Sequence, residues 1–330
     1  DPSGSNTSAV MNFTFPMIPE WVHDAGNDIT DVAISADGEY IASVSSDKKV
    51  YFFGKNNNTS LWSNDKSLQG YEARSVAISA DGEYVAAGYV NNAAGSVYFF
   101  NRTGSSYEWK TTTQGNLNSI AISADGDYIV AGSSYTSSPY TGRLYLFGKD
   151  SSTAIWTYSV NFKQISSVSI SADGQYIVAV YAPHGENSGD GIIYVFSKDS
   201  STPLWSYTVT GAVNSVAISA DGEYIVTGSY GDKVYLFDKD SSTPVWTSGD
   251  LGDDIHSVSI SADGEYIAAG GLGGAQGKVY LFDKDSNNPV WSYTVGSEVY
   301  AVSISADGEY IVAGSDNDRV YAFDKDSSTP

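Results

Sequence analysis

The string Ser-Ala-Asp-Gly, followed by Glu, Asp or Gln and then Tyr, occurs seven times in this 330-residue chain, with its Asp at Asp37, Asp81, Asp125, Asp173, Asp221, Asp263 and Asp307. Successive copies lie 44, 44, 48, 48, 42 and 44 residues apart. Such a chain must build one supersecondary unit seven times. A period of about 45 residues holding only strand-like segments predicts radially arranged β-sheets rather than a helical solenoid. The fifth copy shows the unit most plainly. Ser215–Ser219 alternates small or polar with branched apolar residues, and Ala220-Asp221-Gly222 is hairpin-turn chemistry. Tyr224–Gly228 and Val234–Phe237 read as the next two strands, Asp238–Pro244 as a polar loop, and Val245-Trp246-Thr247 as the start of a fourth. No stretch carries a helical apolar period.

Four short strands per repeat predict an all-β fold, a seven-bladed β-propeller with four-stranded blades. Fourth strands are marked by Trp62, Trp109, Trp156, Trp205, Trp246 and Trp291, six for seven repeats. The seventh Trp, Trp21, stands 11 residues before Val32, just as Trp205 stands 11 before Val216. The chain also stops where another fourth strand would begin. The expected organisation is therefore an N-terminal arm over residues 1–18 and one propeller over 19–330, its ring closed by an N-terminal strand around Trp21 that completes the last blade.

The run Ser215-Val216-Ala217-Ile218-Ser219-Ala220-Asp221-Gly222-Glu223-Tyr224 resembles the first half of a WD40 repeat. The run from Val234 to Trp246 resembles the quinoprotein-type (PQQ-like) repeat, a resemblance that implies a blade-end Trp docked between neighbouring blades. The resemblance spans residues 19–330, with departures. Phe-Asp at Phe237-Asp238, Phe282-Asp283 and Phe323-Asp324 replaces Trp-Asp, and with three His in the chain the Gly-His pairs are missing. The vicinal Cys pair of quinoprotein dehydrogenases cannot exist without cysteine, so quinone catalysis is not implied.

Chemistry beyond the blades is sparse. A net charge of −22, from 17 basic and 39 acidic residues, argues against a nucleic-acid partner. The absence of cysteine excludes disulfides and thiolate chemistry. No apolar run is long enough for a membrane span, and the N-terminus carries no basic, then apolar, targeting segment. Asp-Lys-Asp-Ser-Ser-Thr, at 238–243 and again at 324–329, reads as a capped turn rather than a calcium loop. The seven Asp-Gly hairpins read as turns rather than an acidic ring. His184-Gly185-Glu186-Asn187-Ser188-Gly189-Asp190 mixes metal-type ligands at no defined spacing and reads as a surface loop. His23 and His256 read as ordinary surface or inter-blade residues. Neither a metal nor a cofactor is expected, nor a catalytic residue.

The variable connections between second and third strands, longest at 88–97, 132–143, 181–191 and 268–277, are expected on the face opposite the constant turns. Tyr89, Asn91, Asn92, Tyr135, Tyr140, Arg143, His184, Tyr230 and Asp232 fall there and are the expected binding residues, suited to a protein or glycan partner. Asn6, Asn12, Asn57, Asn58 and Asn101 open Asn-x-Ser/Thr sequons, a number close to chance for this composition. In residues 9–18, Met11, Phe13 and Phe15 alternate with polar residues between Val10 and Met17. This strand-like arm could pack on its own ring or add to another copy's sheet edge. The expected function is a non-enzymatic binding or self-assembly module, extracellular or at the cell surface. The alternative is a propeller enzyme of lyase or hydrolase type with a central-channel site, disfavoured by near-identical Val-Ala-Ile-Ser first strands.

Overall fold

The computed structural model describes residues 21–64, 72–91, 94–135, 141–161, 163–183, 189–273 and 276–330. Its elements are 27 strands in seven antiparallel sheets, with no helix among the described residues. Blade 1 holds β1 (Ile29–Ile34), β2 (Tyr40–Ser45), β3 (Val50–Gly54) and β4 (Trp62–Asn64); blade 2 holds β5 (Glu72–Ile78), β6 (Tyr84–Asn91), β7 (Ala94–Asn101) and β8 (Tyr107–Gln114). Blade 3 holds β9 (Asn116–Ile122), β10 (Tyr128–Tyr135), β11 (Thr141–Gly148) and β12 (Ala154–Asn161); blade 4 holds β13 (Lys163–Ile170), β14 (Tyr176–Pro183), β15 (Gly191–Ser197) and β16 (Trp205–Val209). Blade 5 holds β17 (Val213–Ile218), β18 (Tyr224–Ser229), β19 (Lys233–Asp238) and β20 (Pro244–Thr247); blade 6 holds β21 (Asp254–Ile260), β22 (Tyr266–Gly273), β23 (Gln276–Asp283) and β24 (Pro289–Thr294). Blade 7 holds β25 (Val299–Ile304), β26 (Tyr310–Ser315) and β27 (Arg319–Asp324). Each sheet is a simple meander, and the seven first strands surround the axis. The seven-bladed all-β propeller read from the repeat is the fold observed.

The repeated string earns its place through three contacts. In every copy the Ser hydroxyl donates to the Asp carboxylate at 2.5–2.7 Å. That carboxylate also accepts the N–H two residues on, and the Gly between them sits at φ +67 to +77°, open to glycine and strained for other residues. The Tyr lies under the Gly of the next blade: a Cβ on Gly82 would come within 2.5 Å of the Tyr40 ring. The turn thus also fixes the spacing between blades.

The Trp register does the same at the outer rim. Each Trp indole N–H donates to a carbonyl of the next blade at 2.6–2.9 Å, from Trp62 to Arg102 through Trp291 to Lys325. Its ring packs on that blade's third-strand Phe, as Trp205 does on Phe237 at 5.4 Å. Trp21 follows the rule, donating to Lys55 O at 2.6 Å and packing on Phe53 at 5.4 Å. It therefore occupies the place on blade 1 that a seventh-blade Trp should occupy. Residues 21–25 carry no ladder to β27, however, so the seventh sheet has three strands among the described residues. The N-terminal arm, with Val10, Met11, Phe13, Phe15 and Met17, lies outside the described residues, as do Asn6 and Asn12.

Candidate functional site: the variable-hairpin face

Six seams between blades are tied by the same backbone bond, from Ala36 N to Ala80 O around to Ala262 N to Ala306 O, at 2.9–3.0 Å. Near it the axis is lined by seven Ile and seven Ala, Ile34 and Ala36 through Ile304 and Ala306, around a space of about 350 Å³. This end of the channel is apolar and sevenfold uniform.

The opposite end is not. Every first strand pairs with its second through a bulge, and in each blade one residue is skipped in the register: Thr30, Arg74, Asn118, Ser166, Asn214, His256 and Tyr300. A bulge re-aims its extra side chain, and these seven differ where the flanking residues repeat. Several reach the next blade. Thr30 donates to Ala73 O at 2.7 Å, Asn118 to Ile165 O at 2.7 Å and Ser166 to Val213 O at 2.5 Å. Asn214 donates to the Tyr230 hydroxyl, which lies 3.3 Å from His256 Nδ1, while His256 Nε2 lies 3.3 Å from Glu298 Oε1. A polar chain thus crosses blades 5, 6 and 7. Nearby, burial raises the Asp254 carboxyl above its usual range, and burial reinforced by Asp254 does the same for Asp232.

Around this belt the second and third strands of three blades run on as long hairpins. β6 and β7 pair out to Asn91 with Ala94, β10 and β11 to Tyr135 with Thr141, and β22 and β23 to Gly273 with Gln276. Between blades 2 and 3 the hairpins wall a cavity of about 440 Å³ lined by Ala94, Thr112, Thr113, Gln114, Tyr135, Thr141 and Arg143. Its floor exists because Gly115, at φ +84°, turns β8 straight into β9, so the chain leaves blade 2 without a covering loop.

The expected binding residues separate accordingly. Tyr135 and Arg143 share the cavity, and Tyr230 and Asp232 sit together over blade 5, at positive φ for Asp232. Asn91 ends its hairpin strand. Asn92, Tyr140 and His184 lie outside the described residues. Tyr89 does not belong to the face. It is fully buried, edge-on to Tyr98 at 5.0 Å, and burial pushes its hydroxyl pKa far up. The connections taken as loops at 88–97 and 181–191 begin as strand, so Tyr89 and its counterpart Tyr181 point into the blade interfaces. Of the described sequon residues, Asn57 and Asn58 are exposed, while Asn101 turns its side chain back onto Thr103.

Sequence reasoning passed over the bulge belt because it followed the constant Val-Ala-Ile-Ser. The signal lay two residues upstream of that Val, the position in the first strand where the residue type changes most from blade to blade. It also read His256 as an ordinary inter-blade residue, whereas His256 joins Tyr230 to Glu298 across three blades.

Rings of antiparallel meanders with Trp-docked seams define a class of repeat propellers that expose one variable face. The model of the family described as outer membrane protein assembly factor BamB matches residues 20–248 and again 231–329, and the chain belongs to that family. Among solved structures, the chain is similar in fold to the β-propeller domain of Myceliophteria thermophila Cps50 (Swd1), with a TM-score of 0.67 at 12% identity over 90% of this chain and 96% of that one. No curated protein matches the sequence.

Proposed function

We propose that this propeller is a non-enzymatic binding and self-assembly module, extracellular or at the cell surface, that meets its partners through the variable-hairpin face. One observation carries the reading: the turns and the channel lining repeat from blade to blade, while the bulge positions and the hairpins around them differ. A rigid ring with one individualised face suits recognition. The family's description as an assembly factor, and the propeller fold itself, support protein contact. Excess acidity and abundant Ser, Thr, Asn and Tyr suit an exposed surface.

The test replaces residues 183–190 and 273–276 with the short Tyr230-Gly231-Asp232 connection. Because blade 5 already folds with that turn, the variant should keep its melting temperature. It should lose the partner that chemical crosslinking recovers with the native protein. Retained crosslinking after both replacements moves the site off this face.

A further inference from the structure

The register position two residues before the third-strand Tyr is basic in five blades: Lys49, Arg143, Lys233, Lys278 and Arg319. In blades 1 and 6 the base is neutralised, Lys49 by Asp47 at 3.4 Å and Lys278 by the fully buried Asp253 at 3.0 Å. Arg143 is placed differently. Like Lys233 and Arg319 it has no carboxylate within ion-pair reach among the described residues, and its guanidinium makes no hydrogen bond. It lines the 440 Å³ cavity beside Tyr135. A planar guanidinium is the side chain best matched to a carboxylate.

The rest of the lining narrows the ligand. Thr112 and Gln114 are exposed at the cavity, and Thr141 and the half-buried Tyr135 complete its polar and aromatic wall. Backbone ties hold the floor in place: the Gln114 N–H donates to the Tyr145 hydroxyl at 3.0 Å and Ser133 donates to Gln114 O at 2.7 Å. Among the described residues Ala94 is the only aliphatic residue in the lining, and the Tyr135 ring, the threonine methyls and the side-chain stems supply the rest of its apolar surface. Hydroxyl and amide groups match a polyol, an aromatic face matches the apolar face of a pyranose, and the volume falls in the ordinary small-ligand range. The surrounding negative charge disfavours a long polyanion.

We infer that the cavity between blades 2 and 3 binds a carboxylated sugar, with Arg143 on the carboxylate and Tyr135 beneath the ring. The inference rests on the binding-module reading and names one ligand class for that face.

The experiment titrates the full-length chain with glucuronic acid and, separately, with glucose, followed by calorimetry and saturation-transfer NMR. Glucuronic acid should bind and glucose should bind at least about tenfold more weakly. Arg143→Gln should remove that preference, Arg143→Lys should restore part of it, and Tyr135→Ala should weaken both sugars. Arg319→Gln, at the same register of blade 7, should change nothing. Equal binding of the two sugars, an Arg143→Gln chain that still prefers the acid, or no binding of glucuronic acid by the wild-type chain overturns the assignment. The replacement of 183–190 and 273–276 alters none of the residues that line this cavity. A loss of partner crosslinking in that variant therefore stands or falls independently of the sugar result.

Discussion

At the residue scale, a few side chains repeated seven times hold the ring. Each rim base is used twice or more: Lys239 offers its carbonyl to Trp205, pairs with Glu223 at 2.9 Å and lies 5.8 Å from the centre of the Tyr176 ring. Where Gln175 replaces the acid, Lys198 turns to Asp199 instead. These pairs are half exposed, so the indole bond and the ring packing matter more than the charges. Trp246→Phe keeps the stack on Phe282 and removes the donor to Lys284 O; it should cost about 1 kcal/mol in a urea titration. The turn carboxylates set a pH dependence. Asp37, Asp263 and Asp307 are held below 3.8, first by the Ser hydroxyl of the same turn, so their contribution is present above that value and lost as pH falls through the lowered one. Asp31, Asp232 and Asp254 are held above 3.8 by burial, and the sign reverses. Their ionisation opposes folding at neutral pH, and stability returns as pH falls through the raised values. The melting temperature should therefore rise as pH falls from 7 through the raised values and fall again as pH drops below 3.8 through the lowered ones. A melting temperature that only declines on acidification contradicts this assignment.

At the element scale, the seams are unequal. Val234 of blade 5 is fully buried against Ile255 and Val258 of blade 6. The corresponding residues of blades 7 and 1 are exposed: Val320 at 75%, Ile29 at 48% and Val32 at 63%. Ser257 accepts the Val302 N–H at 3.1 Å, and Ser215 accepts that of Val258 at 3.1 Å. The matching position in blade 7 is Ala301, which has no hydroxyl to offer blade 1. Among the described residues the seventh Ala–Ala bond, between Ala306 and Ala36, is not formed either. Elements with few buried contacts open first. Amides of β1 and β25–β27 should exchange with deuterium well before those of β13–β18 at pH 7. Uniform protection across all seven blades would remove this seam as the weak point.

At the scale of the whole molecule, the N-terminal segment is tested in two parts. Residues 21–25 cover blade 1, with Trp21 on Phe53, His23 on Tyr51 at 5.1 Å and Ala25 O accepting the Tyr51 hydroxyl at 3.1 Å. Removing residues 1–26 uncovers those rings and should lower the melting temperature by several degrees and broaden the transition. A truncation that melts like the intact chain would leave closure to other contacts. Removing only residues 1–17 keeps Trp21 in place. That variant should melt like the parent, and if the arm joins copies it should sediment as a monomer where the parent self-associates. Parent and variant with the same sedimentation behaviour would dismiss the assembly role.

Blade number and strand order were legible in the repeat, because those properties depend on spacing and local chemistry repeated along the chain, and the docking of each Trp was implied by the resemblance to the quinoprotein-type repeat. The turn clasp of Ser219 and Asp221 is local in the same sense, closing within five residues. What depended on how far each hairpin extends and on how neighbouring blades pack could not be read this way. Tyr89 looked like a loop aromatic and became core because β6 and β7 run on as strands past the point where short hairpins turn. The bulge belt exists only when seven first strands are set side by side, so that Thr30, Arg74, Asn118, Ser166, Asn214, His256 and Tyr300 fall on one level. Arg143 and Tyr135 stand on one hairpin of blade 3, and the cavity they line forms only because blade 2 packs beside it. Periodicity fixes what every blade shares; only packing decides what distinguishes one blade from its neighbours, and the binding residues are among those differences.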